Sequence, residues 1–361
     1  MSMPECKKEL ESFLQNPKTK ECMVVVMPDF FLDRLISLKW DTAKFNTLIT
    51  RVAKRKGGSI DGISQVDMQG GNSINVASAI ANLGAKVTPI VCTSEYGLQQ
   101  IKHHLKSAQV DTSHIKICGK ASVTTALEFQ TQNNKTNVML RDLGALADFG
   151  PANLHDDDFK LIEEADYVCL FNWAGTLKFG TVLAQTVFGR VKQGGRGKTY
   201  YDTADPTPNV DGVSGLMEKV LKTDNVDILS VNENEAVTYA SLLDENLNEK
   251  KQRLGFAELA LEAARVLAKN LSARIDLHTT AFSATLHGKK EVVVPTLKVE
   301  TLRATGAGDA WDAGNIIGDW NALSDECRLM LANAVSACYI SDIEGKHPSR
   351  SRLLSFLRSR V

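Results

Sequence analysis

Apolar residues in this chain fall into two repeating patterns. Continuous runs, such as Cys22-Met23-Val24-Val25-Val26-Met27 and Tyr167-Val168-Cys169-Leu170-Phe171, are what a strand requires when both of its faces are covered, as in a parallel sheet. Stretches 87–92, 198–202 and 226–231 also read as strands. Helical spacing fills the intervals: Phe256, Leu259, Leu261, Ala264 and Leu267 mark an amphipathic helix over 256–270, and a helix over 73–83 stops at Gly84. From about residue 151 strand and helix alternate, which predicts a parallel sheet with helices on both faces. Upstream, a helix over 42–56 carries Phe45, Leu48, Ile49 and Val52 on one face, and its basic end before Gly57 is a favourable C-terminus. Segments 123–130 and 137–140, joined by a turn at Asn133-Asn134, read as a hairpin. The first 20 residues read as a short charged helix or a frayed arm, and 350–357 as the last helix.

Composition narrows the class without changing this picture. A chain of 361 residues, 43% apolar and 24% charged, can bury a large core as one big α/β domain or two. A formal charge of -1 gives no whole-protein attraction to nucleic acid or anionic lipid. The seven cysteines are scattered, mostly within apolar runs, and none forms a C-x-x-C pair, which points to reduced, buried thiols in a cytoplasmic protein. The charged N-terminus has no signal-peptide core, and no run of about 18 apolar residues predicts a membrane span.

Chemistry concentrates in Leu302-Arg303-Ala304-Thr305-Gly306-Ala307-Gly308-Asp309. Its two glycines let backbone approach a ligand, and the free N–H groups where a helix starts form a cradle for phosphate or a developing anion. Asp309 lies in the first helical turn, where the helix dipole favours an ionised carboxylate able to take a proton from a hydroxyl. Cradle and base together suggest phosphoryl transfer, although the same residues also describe a tight turn with a favourable end charge. Far upstream, Gly70-Gly71-Asn72-Ser73-Ile74-Asn75-Val76-Ala77 would let backbone pass close to a substrate. Asn75 can donate and accept at once, as a polyol requires, or can be a satisfied core amide. Asp29 and Asp33 follow the first strand, at the edge where open α/β sheets bind ligands, with a solvated loop acid as the other reading.

The pair of glycine-rich segments resembles the two signatures of the ribokinase-like, or PfkB, family of carbohydrate and nucleoside kinases, Gly-Gly-x-x-x-Asn-x-Ala and Asp-Thr-x-Gly-Ala-Gly-Asp. The likeness covers about residues 22–358. It implies a three-layer α/β/α fold with a mainly parallel central sheet and a small β lid, here built from about 34–69 and 120–141 within a kinase domain 21–361 behind an N-terminal arm 1–20. It further implies that Asp33 bonds sugar hydroxyls beside Gly70, Gly71 and Asn75, and that Asp309 is the base over the Gly306, Ala307 and Gly308 anion hole. Asn232-x-x-Glu235 has the spacing by which the family holds hydrated Mg2+ and orients the nucleotide phosphates, with Glu235 on the metal side; a polar helix cap is equally compatible. Thr280, Thr305 and Asn333 would contact the nucleotide, Asn333 near adenine, although close helix packing explains that residue as well. ATP is the expected donor, with ADP left open, and the lid implies a homodimer.

Two departures stand out. The family's usual Thr-Leu-Gly-x-x-Gly is replaced around Ile275-Asp276-Leu277-His278-Thr279-Thr280, without its glycines, and Asp-Thr before the anion loop is Arg303-Ala304. The second puts activation by a monovalent cation in doubt, because an arginine can itself supply the charge or pair with phosphate. A nucleoside kinase and a non-catalytic ligand-binding or regulatory member are the alternatives. A dinucleotide-dependent oxidoreductase does not fit, since no strand leads into Gly-x-Gly-x-x-Gly with an acid about 20 residues on.

Overall fold

Alternation within each strand divides the interior. The computed structural model describes residues 3–16, 21–107, 109–130, 135–251, 253–303 and 305–360. In β1 (Met23–Met27), Val25 and Met27 join one hydrophobic cluster while Val24 and Val26 join another on the opposite face. The chain then leaves the sheet for β2 (Phe31–Leu38) and β3 (Ser64–Gly70), returns as β4 (Lys86–Pro89), makes the short parallel pair β5 (Cys92–Thr93) and β6 (Lys116–Ile117), and leaves again for β7 (Ser122–Gln130) and β8 (Lys135–Asp142). The remaining strands are β9 (Tyr167–Phe171), β10 (Lys198–Asp202), β11 (Ile228–Val231), β12 (Arg274–His278), β13 (Phe282–His287) and β14 (Lys290–Pro295).

The main sheet has the order β14-β13-β12-β11-β10-β9-β1-β4. Its strands from β4 to β12 pair in parallel, and the β12–β13 and β13–β14 pairs are antiparallel. One face is covered by helices including Gly180–Gly194 and Phe256–Asn270. The other carries Asn72–Asn82, Ala307–Trp320 and Asp325–Ile340. This is the ribokinase-like three-layer arrangement. A second sheet, β3-β2-β7-β8, forms the lid.

The lid departs from the sequence expectation in one respect that matters for the site. Residues 31–38 and 64–70 are strands, so Asp33 lies inside β2, paired with Met68 of β3 and Thr124 of β7, rather than in a loop after β1. The expected turn at Asn133-Asn134 lies outside the described residues. At the N-terminus, Met3–Gln15 is a helix whose Cys6, Leu10, Phe13 and Leu14 are buried in the second cluster. Their spacing of four, three and one is helical. The seven cysteines are unbridged and all but Cys118 are buried. Among the described residues no helix is long and apolar enough to cross a membrane.

A charged network lies between the sheet and the Ala307–Trp320 and Asp325–Ile340 helices. Arg328, 1% exposed, donates to Asp276 Oδ2 at 2.9 Å, Thr285 Oγ1 at 2.9 Å and Asp325 Oδ1 at 3.0 Å. Arg274 adds bonds to Asp276 at 2.8 Å and Asp319 at 2.6 Å. Burial pushes the Asp276 carboxyl up, but Arg274 and Arg328 together hold it below the usual carboxylate range.

Candidate active site

The chain turns into the Ala307–Trp320 helix at Gly306, whose φ of 84° is left-handed and whose place a Cβ would fill only 2.7 Å from the Tyr339 hydroxyl. Only glycine fits both demands. No side chain caps this helix, so its first-turn N–H groups keep no side-chain acceptor and remain available to an anion. Thr305, one residue earlier, is fixed by the Tyr339 hydroxyl donating to its carbonyl at 3.3 Å.

Asp309 ties the two glycine-rich segments together. Asn72 Nδ2 donates to its Oδ1 and Asn75 Nδ2 to its Oδ2, each at 2.8 Å, across 237 and 234 residues of sequence. The carboxylate is 5% exposed. Burial is the largest influence on it, opposed by the Asn75 bond and reinforced by Asp202 and Asp29, and together they push its pKa up to about 7. A carboxyl poised there can exchange a proton near neutrality.

Asp29 is held differently. It is fully buried, accepts from the N–H groups of Asn72 and Ser73 at 2.9 Å, from Ser73 Oγ at 2.6 Å and from Asn172 Nδ2 at 2.9 Å. It therefore caps the Asn72–Asn82 helix from outside the helix itself. Asp33 crosses the lid instead, and its carboxylate lies where a Cβ on Gly70 would be, 2.0 Å from Oδ2. Gly70 is thus the gap that admits Asp33. Burial pushes Asp33 up to about 6, against the lowering effect of the Thr124 hydroxyl and of Arg141, and among the described residues its Oδ1 has no hydrogen-bond partner.

These features meet at one edge of the sheet, and the sequence as a whole carries the same signature. A model of the pfkB family of carbohydrate kinases matches residues 38–351. The chain belongs to the PfkB family. Among solved structures, this PfkB-family chain is similar to an adenosine kinase from Sinorhizobium meliloti (18% identity, 94% of this chain and 99% of that one, TM-score 0.69). It is also similar to an Arabidopsis thaliana ribokinase complexed with ribose and ATP (17%, 94% and 99%, 0.69). A third is a ribokinase from Cryptococcus neoformans var. grubii serotype A in complex with ADP (17%, 95% and 100%, 0.69). At such identities the likeness shows the fold. A comparison with curated proteins found no match.

The other expected residues of this PfkB-family kinase divide into two groups. Asn232 and Glu235 form a capping box at the start of the Glu233–Ala240 helix: the Glu235 N–H donates to Asn232 Oδ1 at 3.0 Å, and Glu235 accepts from the Asn232 N–H at 3.0 Å and from Nδ2 at 2.6 Å. Burial first, then Asp202, Asp205 and Glu233, raise the Glu235 carboxyl well above its usual range, with the Asn232 N–H opposing them. Thr280 is exposed beside that helix, its N–H donating to Glu233 Oε1 at 2.9 Å. Asn333 is buried, and both polar atoms of its side chain are bonded within the protein. Its Oδ1 accepts from Ser283 Oγ at 2.6 Å and Trp311 Nε1 at 3.0 Å, and its Nδ2 donates to the Pro295 carbonyl at 3.2 Å. The packing reading of Asn333 accounts for every one of those bonds.

Both departures from the family pattern have a structural counterpart. The Arg303 guanidinium donates to the Ile343 carbonyl at 3.1 Å, lies 5.8 Å from the Tyr339 ring centroid and fills the space beside Gly345. His278 turns inward, its ring 5.0 Å from that of Trp311 and its Cε1 3.3 Å from where a Cβ on Gly308 would be. Sequence reasoning missed Asn72 as a partner of Asp309, and Arg141 as the lid cation facing Asp33. The only signal for Asn72 was its place next to Gly71.

Proposed function

We propose that this kinase transfers the terminal phosphoryl group of ATP to a hydroxyl of a small sugar or polyol, with Asp309 as the base. The observation that carries this reading is the pair of hydrogen bonds that Asn72 and Asn75 donate to the Asp309 carboxylate. It joins the acceptor side of the site to the start of the anion-binding helix. Asp33 Oδ1, without a partner, is suited to accept a bond from one acceptor hydroxyl, orienting the next toward Asp309. Asp309 takes the proton of the attacking hydroxyl, while the new bond to phosphorus forms and the bond to the leaving nucleoside diphosphate breaks. The N–H groups of Gly306, Ala307 and Gly308 stabilise the charge spread over the moving phosphoryl oxygens. Thr280 and Thr305 are proposed to touch the nucleotide.

The fold family implies a magnesium ion. The buried Glu235 carboxyl feels the charges of Asp205 and Glu233, and these carboxylates offer oxygen alone, which fits a hard, hydrated cation. Glu235 and Asn232 would hold it, largely through water. When bound, magnesium supplies neutralisation of the polyphosphate charge.

The test is a panel of free sugars, polyols and nucleosides with ATP and with ADP as donors, in potassium and in tetramethylammonium buffers. Acceptor-dependent product with ATP and sugars or polyols, at equal rates in both buffers, is expected, because the Arg303 guanidinium supplies a fixed cation beside the loop. Turnover of nucleosides alone would make it a nucleoside kinase. No turnover of any acceptor would leave a ligand-binding member, and a large rate loss without potassium would sink the role given to Arg303.

We further propose that a second copy of the chain covers the lid. Its edge strand β8 exposes Val138, Met139 and Leu140 at 42%, 49% and 57%, a combination of open strand edge and apolar surface that attracts another chain. Sedimentation of the wild type is expected to give a dimer and of Leu140→Lys a monomer. A wild-type monomer at micromolar concentration overturns this.

A further inference from the structure

Behind the anion loop lies a cluster that the phosphoryl-transfer reading does not use. Asp202 ends β10, His278 ends β12, and Asp312 lies one turn beyond Asp309 on the Ala307–Trp320 helix. One ligand atom from each lies within 4.8 Å of the others, and His278 Nε2 is 3.9 Å from Asp202 Oδ2. Asp312 is 0% exposed. Its Oδ1 accepts from Tyr200 at 2.6 Å and Ser230 at 2.7 Å, yet among the described residues its Oδ2 has no hydrogen-bond partner, and neither has His278 Nε2. The nearby buried guanidinium groups are engaged elsewhere: Arg274 and Arg328 pair with Asp276, Asp319 and Asp325.

We propose that Asp202, His278 and Asp312 hold a divalent transition cation of the manganese or zinc kind, distinct from the ion that accompanies the nucleotide. Bare buried carboxylate is expensive unless something positive meets it. A proton shared between the two carboxyls would answer one oxygen of each and leave the imidazole nitrogen bare, whereas one cation takes all three donors. The donors lie within 4.8 Å of one another, whereas ligands about 2.1 Å from a tetrahedral ion stand roughly 3.4 Å apart, so binding requires the three side chains to close by up to about 1.4 Å. Mixed oxygen and nitrogen donors select manganese or zinc over magnesium or calcium, which take oxygen alone. The ion would tie two strand ends to the helix that bears Asp309 and stiffen the backing of Gly308, making these three residues positioning residues for the loop.

The experiment uses the full chain stripped of metal and free of nucleotide. Manganese binding is followed by the loss of its free-ion electron paramagnetic resonance signal, and zinc binding by competition with a chromophoric chelator. One equivalent is expected, with a rise in the thermal midpoint. Asp312→Asn and His278→Gln should each weaken it by about 100-fold or more, since even a partner that only supports a ligand is worth about 10–100-fold. Glu235→Gln should keep it. If Asp312→Asn does not fold, His278→Gln and the wild type decide. No binding to the wild type, or binding lost in Glu235→Gln and kept in His278→Gln, overturns the proposal. Neither result bears on whether sugars are phosphorylated.

Discussion

Asp309→Asn is expected to lower turnover by about two to four decades, the scale for a general base, while the protein stays folded and still binds nucleotide. The substitution keeps the shape of the side chain and one acceptor oxygen. It forfeits the second acceptor, so that either Asn72 or Asn75 loses its partner at 2.8 Å. It also removes a buried charge. The ordinary carboxyl pKa of 3.8 becomes about 7 in the fold, so the native state holds this proton more tightly than the unfolded chain. Asp309 therefore favours folding fully below about pH 4, and that contribution is lost as pH rises through 7. At neutral pH the variant should be no less heat-stable than the wild type. The same shift sets the activity profile: kcat/KM of the wild type should rise with pH through an apparent pKa near 7, because the base must be ionised, and Asn75→Ala should move that limb upward by deleting a bond that lowers it. Turnover near the wild-type level in Asp309→Asn, or an unchanged limb in Asn75→Ala, would remove Asp309 from this role.

Arg328→Met is expected to cost about 3–5 kcal/mol of stability, the range for removing one partner of a buried ion pair, read from urea unfolding. The side chain is 1% exposed and bonded to Asp276, Thr285 and Asp325. Methionine matches its volume, so lost packing is a small part of the cost. What remains is Asp276, 0% exposed, with Arg274 as its single cationic partner. A loss below about 1 kcal/mol, no more than an exposed pair is worth, would mean that Arg274 alone satisfies Asp276.

The two strand populations were unequally legible. β1 and β9 announce themselves because both of their faces are covered, and a continuous apolar run has no other economical reading. β2 and β3 do not, since Ser64–Gly70 is exposed over its first four residues and carries no hydrophobic pattern for the eye to follow. Asp33 was therefore read as an acid beyond the end of β1, whereas it sits within β2 beside Gly70. The convergence of the two glycine-rich segments rested on resemblance, because no local rule connects residues as far apart as Asn75 and Asp309, 234 positions. The Asn232 and Glu235 pair was readable as a cap from its spacing alone. Asp29 capping a helix 43 residues away was not, for a cap supplied by another segment leaves no trace in the helix's own sequence. The cluster of Asp202, His278 and Asp312 comes from three elements and was equally silent.

Asp29 and Asp33 are four residues apart yet belong to different bodies. The first is clamped by four hydrogen bonds to the start of the Asn72–Asn82 helix and to Asn172, while the second is a rung of the lid. The chain crosses between the two sheets at Phe30 and returns at Gly71, whose φ is 93° and whose missing Cβ leaves room for the Phe30 backbone, and it crosses again before β7 and after β8. On the proposed reading, in which Asp33 orients the acceptor and Asp309 deprotonates it, any displacement of the small sheet against the large one would register as a change in the distance between these two carboxylates.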